Sequence, residues 1–236
     1  MRTAVVTGAA GGLGRAICER LVSDGLRVVG LDLDPTSVTH GTPMGCDLTD
    51  AEAVAETFAA IAAEHGGVDA LVNNAGTCLM SDFPSIPAEE LRAQMEVNFH
   101  SAFHCCQAAI PLMEGRGGVR KIVNVSSNGA YNFDVFDPPH YRASKAAMDS
   151  LTRDLARRYA DRRIAVNSVA PAMTETPLFG VLDDATLERA VSAMPWGRAM
   201  RPEEVAAWVT FLVSEAGDIA SGNVIVLNQG RDVRSG

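Results

Sequence analysis

From one end of the chain to the other, short β-branched runs alternate with Ala- and Leu-rich stretches of helical period. Strand patterns fall at 3–7, 27–32, 68–73, 121–126, 164–169 and 223–227, and helical patterns at 13–24, 50–65, 89–113, 141–160 and 203–214. Strands that alternate with helices predict βαβ units, and right-handed crossovers then place helices on both faces of a parallel sheet. The expected class is α/β, a doubly wound parallel sheet. A length of 236 residues suits one domain of this kind, 1–236, without a separate substrate domain. One stretch breaks the rhythm: residues 174–200 carry Pro177, Gly180, Pro195 and Gly197 around a short helical segment. A long insertion after the carboxyl end of a strand is where a lid over a ligand would sit.

Charge and apolar patterning exclude several classes. With 29 acidic against 20 basic side chains and a formal charge of −9, the chain repels polyphosphate backbones, so no nucleic-acid partner is expected. No apolar run reaches the roughly 18–20 residues of a spanning helix, and the first strand leads straight into a glycine motif with no room for a signal peptide. The expectation is a cytoplasmic protein without a membrane partner. Cys18, Cys46, Cys78, Cys105 and Cys106 contain no C-x-x-C pair and read as free, buried thiols.

The first strand runs into Thr7-Gly8-Ala9-Ala10-Gly11-Gly12-Leu13-Gly14 and then a helix with Leu13, Ile17 and Leu21 on its apolar face. Glycines let the backbone approach a pyrophosphate, whose charge the free N–H groups and dipole of the helix attract. A glycine cluster alone also serves ordinary turns. Placed between strand and helix, with an acid near the end of the next strand, it is the pattern of a dinucleotide-binding Rossmann fold. That acid is Asp32, whose carboxylate suits both hydroxyls of an adenosine ribose and repels a 2′-phosphate, so NAD is expected over NADP. No Lys or Arg stands at 9–12 or directly after Asp32.

A second constellation is Tyr141-Arg142-Ala143-Ser144-Lys145, preceded by Ser126 and Ser127 at a strand end. Four residues apart on a helix, Tyr141 and Lys145 share a face. A phenol with a pKa of about 10 is a poor base at neutral pH, and a neighbouring cation lowers that value. Taken alone, the same spacing also describes a surface pair.

Thr7-Gly8-x-x-x-Gly12-x-Gly14, Asn73-Asn74-Ala75-Gly76, Asn98, Ser127 and Tyr141-x-x-x-Lys145 stand together in the order and spacing of the short-chain dehydrogenase/reductase family. The chain resembles its single-domain branch from residue 3 to about residue 230. The resemblance implies Tyr141 as general acid/base and Lys145 as the cation that lowers the Tyr141 pKa and hydrogen-bonds the nicotinamide ribose. It implies Ser127, rather than Ser126, as the group that holds the substrate oxygen, and Asn98 as the residue that shapes its helix and supports a relay water. Gly8, Gly12, Leu13 and Gly14 would cradle the pyrophosphate, with Asp47 and Leu48 beside the adenine and Asn74, Ala75 and Gly76 along the ribose. Met173, Thr174 and Thr176 would meet the carboxamide. Two departures stand out: Ala172 replaces the usual glycine after Pro171, and Leu227-Asn228-Gln229-Gly230 replaces the common Asp-Gly-Gly.

The implied activity is NAD-dependent hydride transfer between nicotinamide and a secondary alcohol or ketone, with CH–OH as the donor. Tyr131, Phe133, Phe136, Pro138 and Pro139 precede Tyr141, and Met80, Leu178, Phe179 and Trp196 are expected to close the pocket, which suits a medium-sized, largely apolar small molecule. A 3-oxoacyl-acyl-carrier-protein reductase is the alternative, motivated by Arg116, Arg120 and Lys121 beside Arg162. Such enzymes generally use NADPH. A non-catalytic NAD-binding sensor is a third reading. His100 and His104, four apart with Cys105 next door, superficially suggest a metal site, but zinc needs three or four ligands with a second shell and the H-E-x-x-H glutamate is missing, so no metal is expected. The cluster Arg157, Arg158, Arg162 and Arg163 complements a helix end. By analogy with the family, a homotetramer or dimer is expected.

Overall fold

A computed structural model, which describes residues 1–131 and 137–232, turns the alternation into seven parallel strands. They are β1 (Thr3–Thr7), β2 (Arg27–Asp32), β3 (Thr42–Gly45), β4 (Ala70–Asn73), β5 (Arg120–Val125), β6 (Ile164–Pro171) and β7 (Val224–Leu227), in the order β3-β2-β1-β4-β5-β6-β7. Side chains alternate across the sheet because successive strand residues face opposite ways. Val5, Val29, Leu71, Ile122 and Val166 pack in one core with helices α2 (Ala51–His65), α4 (Ser101–Met113) and α5 (Pro139–Arg158). Their neighbours Ala4, Val6, Val28, Ala70 and Val123 pack in the other with α1 (Gly12–Ser23) and α7 (Pro202–Val213). The result is a Rossmann-type sheet between two helical layers.

Strand order reverses between β1 and β4, where Val5 of β1 is aligned with Val29 of β2 on one side and Leu71 of β4 on the other. In an open α/β sheet this switch point opens a crevice beyond the carboxyl ends of the strands. The loops after β1, β2, β4, β5 and β6 all meet there.

Two elements differ from expectation. β3 was not anticipated: Thr-Pro-Met-Gly is short, largely exposed and at the sheet edge, the one place where proline is tolerated in a sheet. The helix expected at 89–113 is broken into α3 (Ala88–Met95), a π-helical turn (Glu96–His100) and α4. The insertion at 174–200 contains a 3₁₀ turn (Pro177–Val181) and α6 (Asp184–Ser192). Its two ends pair: Thr174 bridges to Met200, Met200 N–H donates to Met173 at 2.8 Å, and Glu175 N–H donates to Met200 at 2.9 Å. Among the described residues no helix is long and apolar enough to cross a membrane.

Candidate active site

The glycine loop is shaped by two different demands. Gly8 has φ +63°, a conformation that side chains resist, and a Cβ there would lie 2.9 Å from Ala75 Cα. Gly14 sits in the first turn of α1, where a Cβ would collide with the Gly8 carbonyl. Thr7 Oγ1 accepts the N–H groups of Asn74 and Ala75, each at 3.0 Å, while Asn74 Nδ2 donates to the carbonyls of Thr7 (3.0 Å) and Gly8 (3.1 Å). The loops after β1 and β4 are thereby fixed to each other. No side chain caps α1 at Gly11, so the first N–H groups of the helix remain available to an anion.

Beside this loop, at the end of β2, Asp32 Oδ2 accepts the Ala10 N–H at 3.0 Å. Asp34 and Ser37 adjoin it on the wall of the same cavity. Asp47 Oδ1 is engaged by Thr49 N–H (3.0 Å) and Oγ1 (2.7 Å), bonds that hold its carboxyl below the usual range. A dinucleotide fits these residues: an uncapped helix start, a loop with no room for side chains, and a carboxylate at the strand end.

The cavity, about 740 Å³, extends from this region to the end of β5 and α5. There Ser127 Oγ accepts the Gly129 N–H at 3.0 Å and hydrogen-bonds the Tyr141 hydroxyl. Ser126 instead turns toward α5, reaching the Lys145 carbonyl at 3.3 Å. Lys145 Nζ donates to the Val125 carbonyl at 2.9 Å and lies 6.0 Å from the Tyr141 ring centroid. Asn98, in the π-helical turn, is fully buried: its Oδ1 accepts the Thr77 N–H (2.8 Å), and its Nδ2 donates to Thr77 O and Ser144 Oγ, both at 3.0 Å. Gly76 completes this corner, where a Cβ would stand 3.3 Å from both Asn98 Oδ1 and Lys145 Nζ.

Burial first, and then the negative charge of Asp137, push the Tyr141 phenol above its ordinary value, with the Ser127 hydrogen bond pulling the other way. The Lys145 ammonium, 6.0 Å from the Tyr141 ring centroid, is held by the Val125 carbonyl. Burial also lowers the pKa of Lys145 itself to about 8, opposed by the nearby Asp149 carboxylate.

All the remaining residues expected at the cofactor line this cavity, among them Gly12, Leu13, Leu48, Met173, Thr174 and Thr176. Met80, Leu178 and Phe179 line it as well. Trp196 does not: it is 66% exposed and packs under the Arg198 guanidinium. Tyr131 also points elsewhere, donating to Asp149 Oδ2 at 2.6 Å, while Phe133 and Phe136 lie outside the described residues. Cys78 and Asp137 join the wall without having been anticipated. The acid four residues before Tyr141 was the available signal.

Neither departure from the family pattern disrupts the loops. Ala172 is not among the residues with positive φ, and its N–H donates to Leu227 O at 2.8 Å, so no glycine is required. Gln229 does take a left-handed conformation, φ 58°, and its side chain accepts the Trp196 N–H (3.0 Å) and donates to the Arg198 carbonyl (3.1 Å).

A family model described as enoyl-(acyl carrier protein) reductase matches residues 8–232. The chain belongs to the short-chain dehydrogenase/reductase family. It is 33% identical to the 3-oxoacyl-acyl-carrier-protein reductase FabG of Thermotoga maritima, over 97% of each chain. Among solved structures it resembles ligand-free aldohexose dehydrogenase of Thermoplasma acidophilum, with a TM-score of 0.91 and 31% identity over 99% of this chain and 95% of the other. The NADP complex of Pseudomonas aeruginosa RhlG aligns with a TM-score of 0.90 and 28% identity over 98% of this chain and 96% of that one. As a short-chain dehydrogenase/reductase, the protein is an oxidoreductase acting on CH–OH donors.

The basic residues that suggested a carrier-protein surface are engaged elsewhere. Arg116 and Arg120 pair with Asp69, Lys121 is 1% exposed with its Nζ 2.7 Å from Asp218, and Arg162 pairs with Glu114. His100 pairs with Glu96 at 2.9 Å and His104 Nδ1 meets the Leu48 carbonyl at 3.2 Å.

Proposed function

We propose that this protein is an NAD-dependent dehydrogenase/reductase of secondary alcohols and ketones. The observation that carries the reading is the convergence of Ser127, Tyr141 and Lys145 on the cavity that also holds the uncapped start of α1 and the Asp32 carboxylate. The nicotinamide, when bound, supplies the hydride acceptor or donor. Ser127 Oγ holds the substrate oxygen, and Tyr141 Oη moves the proton to or from it. With its pKa raised, the phenol holds the proton that carbonyl reduction consumes. Lys145, adjoining Gly76, places a positive charge beside the ribose-binding turn and the phenol.

Selection of NAD rests on Asp32. Its neighbours on the cavity wall, Leu33, Asp34 and Ser37, bring a second carboxylate and no cation, so a 2′-phosphate would be repelled. NADH is expected to exceed NADPH in kcat/KM by at least about tenfold, a difference of about 1.4 kcal/mol, and Asp32→Ala to shrink that ratio. A wild-type preference for NADPH would overturn the assignment. Tyr141→Phe is expected to lose turnover by about 10²–10⁴ while NADH binding, read by fluorescence, persists.

The second reading, reduction of a carrier-linked 3-oxoacyl thioester, is favoured by the similarity to the Thermotoga maritima reductase. Parallel assays with an acetoacetyl thioester and with simple ketones separate the two. The proposal also includes a dimer or tetramer, supported by Trp208 and Phe211, which stack edge-on and remain 44% and 45% exposed on α7. Sedimentation analysis tests it.

A further inference from the structure

The substrate half of the cavity is walled by Met80, Leu178, Phe179 and other apolar groups, yet a carboxylate, Asp137, stands in it beside Ser127 and Tyr141. Space has been left for that carboxylate. Gly129 does not have a positive φ, so the backbone there does not call for glycine. A Cβ at Gly129, however, would collide with Asp137 Oδ2 and lie 3.2 Å from Ser127 Oγ. The same absent methyl group therefore seats both the oxygen-holding hydroxyl and the acid. Asp137 immediately precedes Pro138 and Pro139, which open α5, so its backbone is fixed two residues before the stiff start of the helix that carries Tyr141.

We propose that Asp137 is a specificity-determining residue that selects substrates bearing a second hydroxyl next to the reacting carbinol or carbonyl carbon, vicinal diols and α-hydroxyketones. The inference rests on the alcohol/ketone reading above and narrows it. With Ser127 holding the reacting oxygen, the neighbouring carboxylate accepts a hydrogen bond from the adjacent hydroxyl. An ionised acceptor of this kind makes stronger bonds than a neutral one. A substrate carboxylate beside Asp137 is repelled by it, and an ammonium group is opposed by Lys145 and Arg231, the cations that line the same cavity.

The test compares butane-2,3-diol, butan-2-ol and 3-hydroxybutyrate with NAD, using the wild type, Asp137→Leu, Asp137→Asn and Gly129→Ala. The wild type is expected to favour the diol over butan-2-ol by about tenfold or more in kcat/KM, with 3-hydroxybutyrate poorest. Asp137→Leu should bring the diol-to-alcohol ratio near one, Asp137→Asn should fall between, and Gly129→Ala, which displaces the carboxylate, should also reduce it. Because the ratio is taken at one pH, any effect of Asp137 on Tyr141 cancels. Equal kcat/KM values for diol and butan-2-ol in the wild type, or an unchanged ratio in folded Asp137→Leu, overturns the proposal. If the wild type binds NADH but oxidises none of the three and instead reduces an acetoacetyl thioester, the alcohol/ketone reading itself fails and takes this one with it.

Discussion

Tyr141 shows how a side chain's chemistry depends on neighbours that sequence spacing does not reveal. Its place four residues before Lys145 on one helix was legible, and Ser127 rather than Ser126 is the serine that hydrogen-bonds it. The rise in its pKa was not, because burial and the approach of Asp137 are set by the folded β5–α5 junction. Asp137 offered only its spacing as a signal, since a carboxylate meets a phenol four residues away only once the chain has turned into α5. A consequence can be measured in the alcohol-oxidising direction, where Tyr141 must take a proton. The negative charge of Asp137 raises the phenol, so Asp137→Asn removes an opponent of the phenolate. The pH midpoint of kcat/KM is expected to fall by about one pH unit, the lower end of what a neighbouring charge produces. A midpoint that stays in place or rises would remove Asp137 from the electrostatic account of Tyr141.

At the level of elements, strongly periodic segments were read directly and the irregular ones were not. β3 lacks a β-branched run and exists because Met44 and its neighbours complete the edge beside β2. The π-helical turn is invisible to helical periodicity because it adds a residue to one turn without ending the helix, and it delivers Asn98 to Thr77 and Ser144. Gln229 is the most informative case. A left-handed conformation costs a non-glycine residue about 1–2 kcal/mol, a cost set against the two hydrogen bonds that its amide makes to residues 196 and 198. Gln229→Gly relieves the backbone and cuts those bonds. Overall stability in urea is therefore expected to shift by less than about 1 kcal/mol, while the Trp196 amide loses protection from hydrogen exchange. Full protection at Trp196 in the variant would show that Gln229 does not hold this segment.

Across the whole molecule, the two ends of the sheet do different work. The cavity lies beyond the carboxyl ends, and a charge lock closes the amino ends. Asp69, just before β4, accepts the Thr3 N–H at 2.7 Å through Oδ2 and pairs with Arg120 and Arg116 through Oδ1. The alternating pattern made the sheet legible, but this lock was not, because Asp69 is distant from Arg116 and Arg120 in sequence and meets them only in the fold. Asp69→Asn leaves the Arg120 charge buried with a weakened partner and is expected to cost about 3–5 kcal/mol in urea unfolding. NADH affinity should be unchanged, since the binding loops lie at the opposite end; a parallel loss of affinity would show that the ends are coupled. The insertion between β6 and α7 has a further consequence. It leaves and rejoins the body at the Thr174–Met200 bridge, so both crossings lie about one strand spacing apart, roughly 4.8 Å. The segment that carries Leu178 and Phe179 to the cavity can therefore differ in length without changing the separation of β6 and α7.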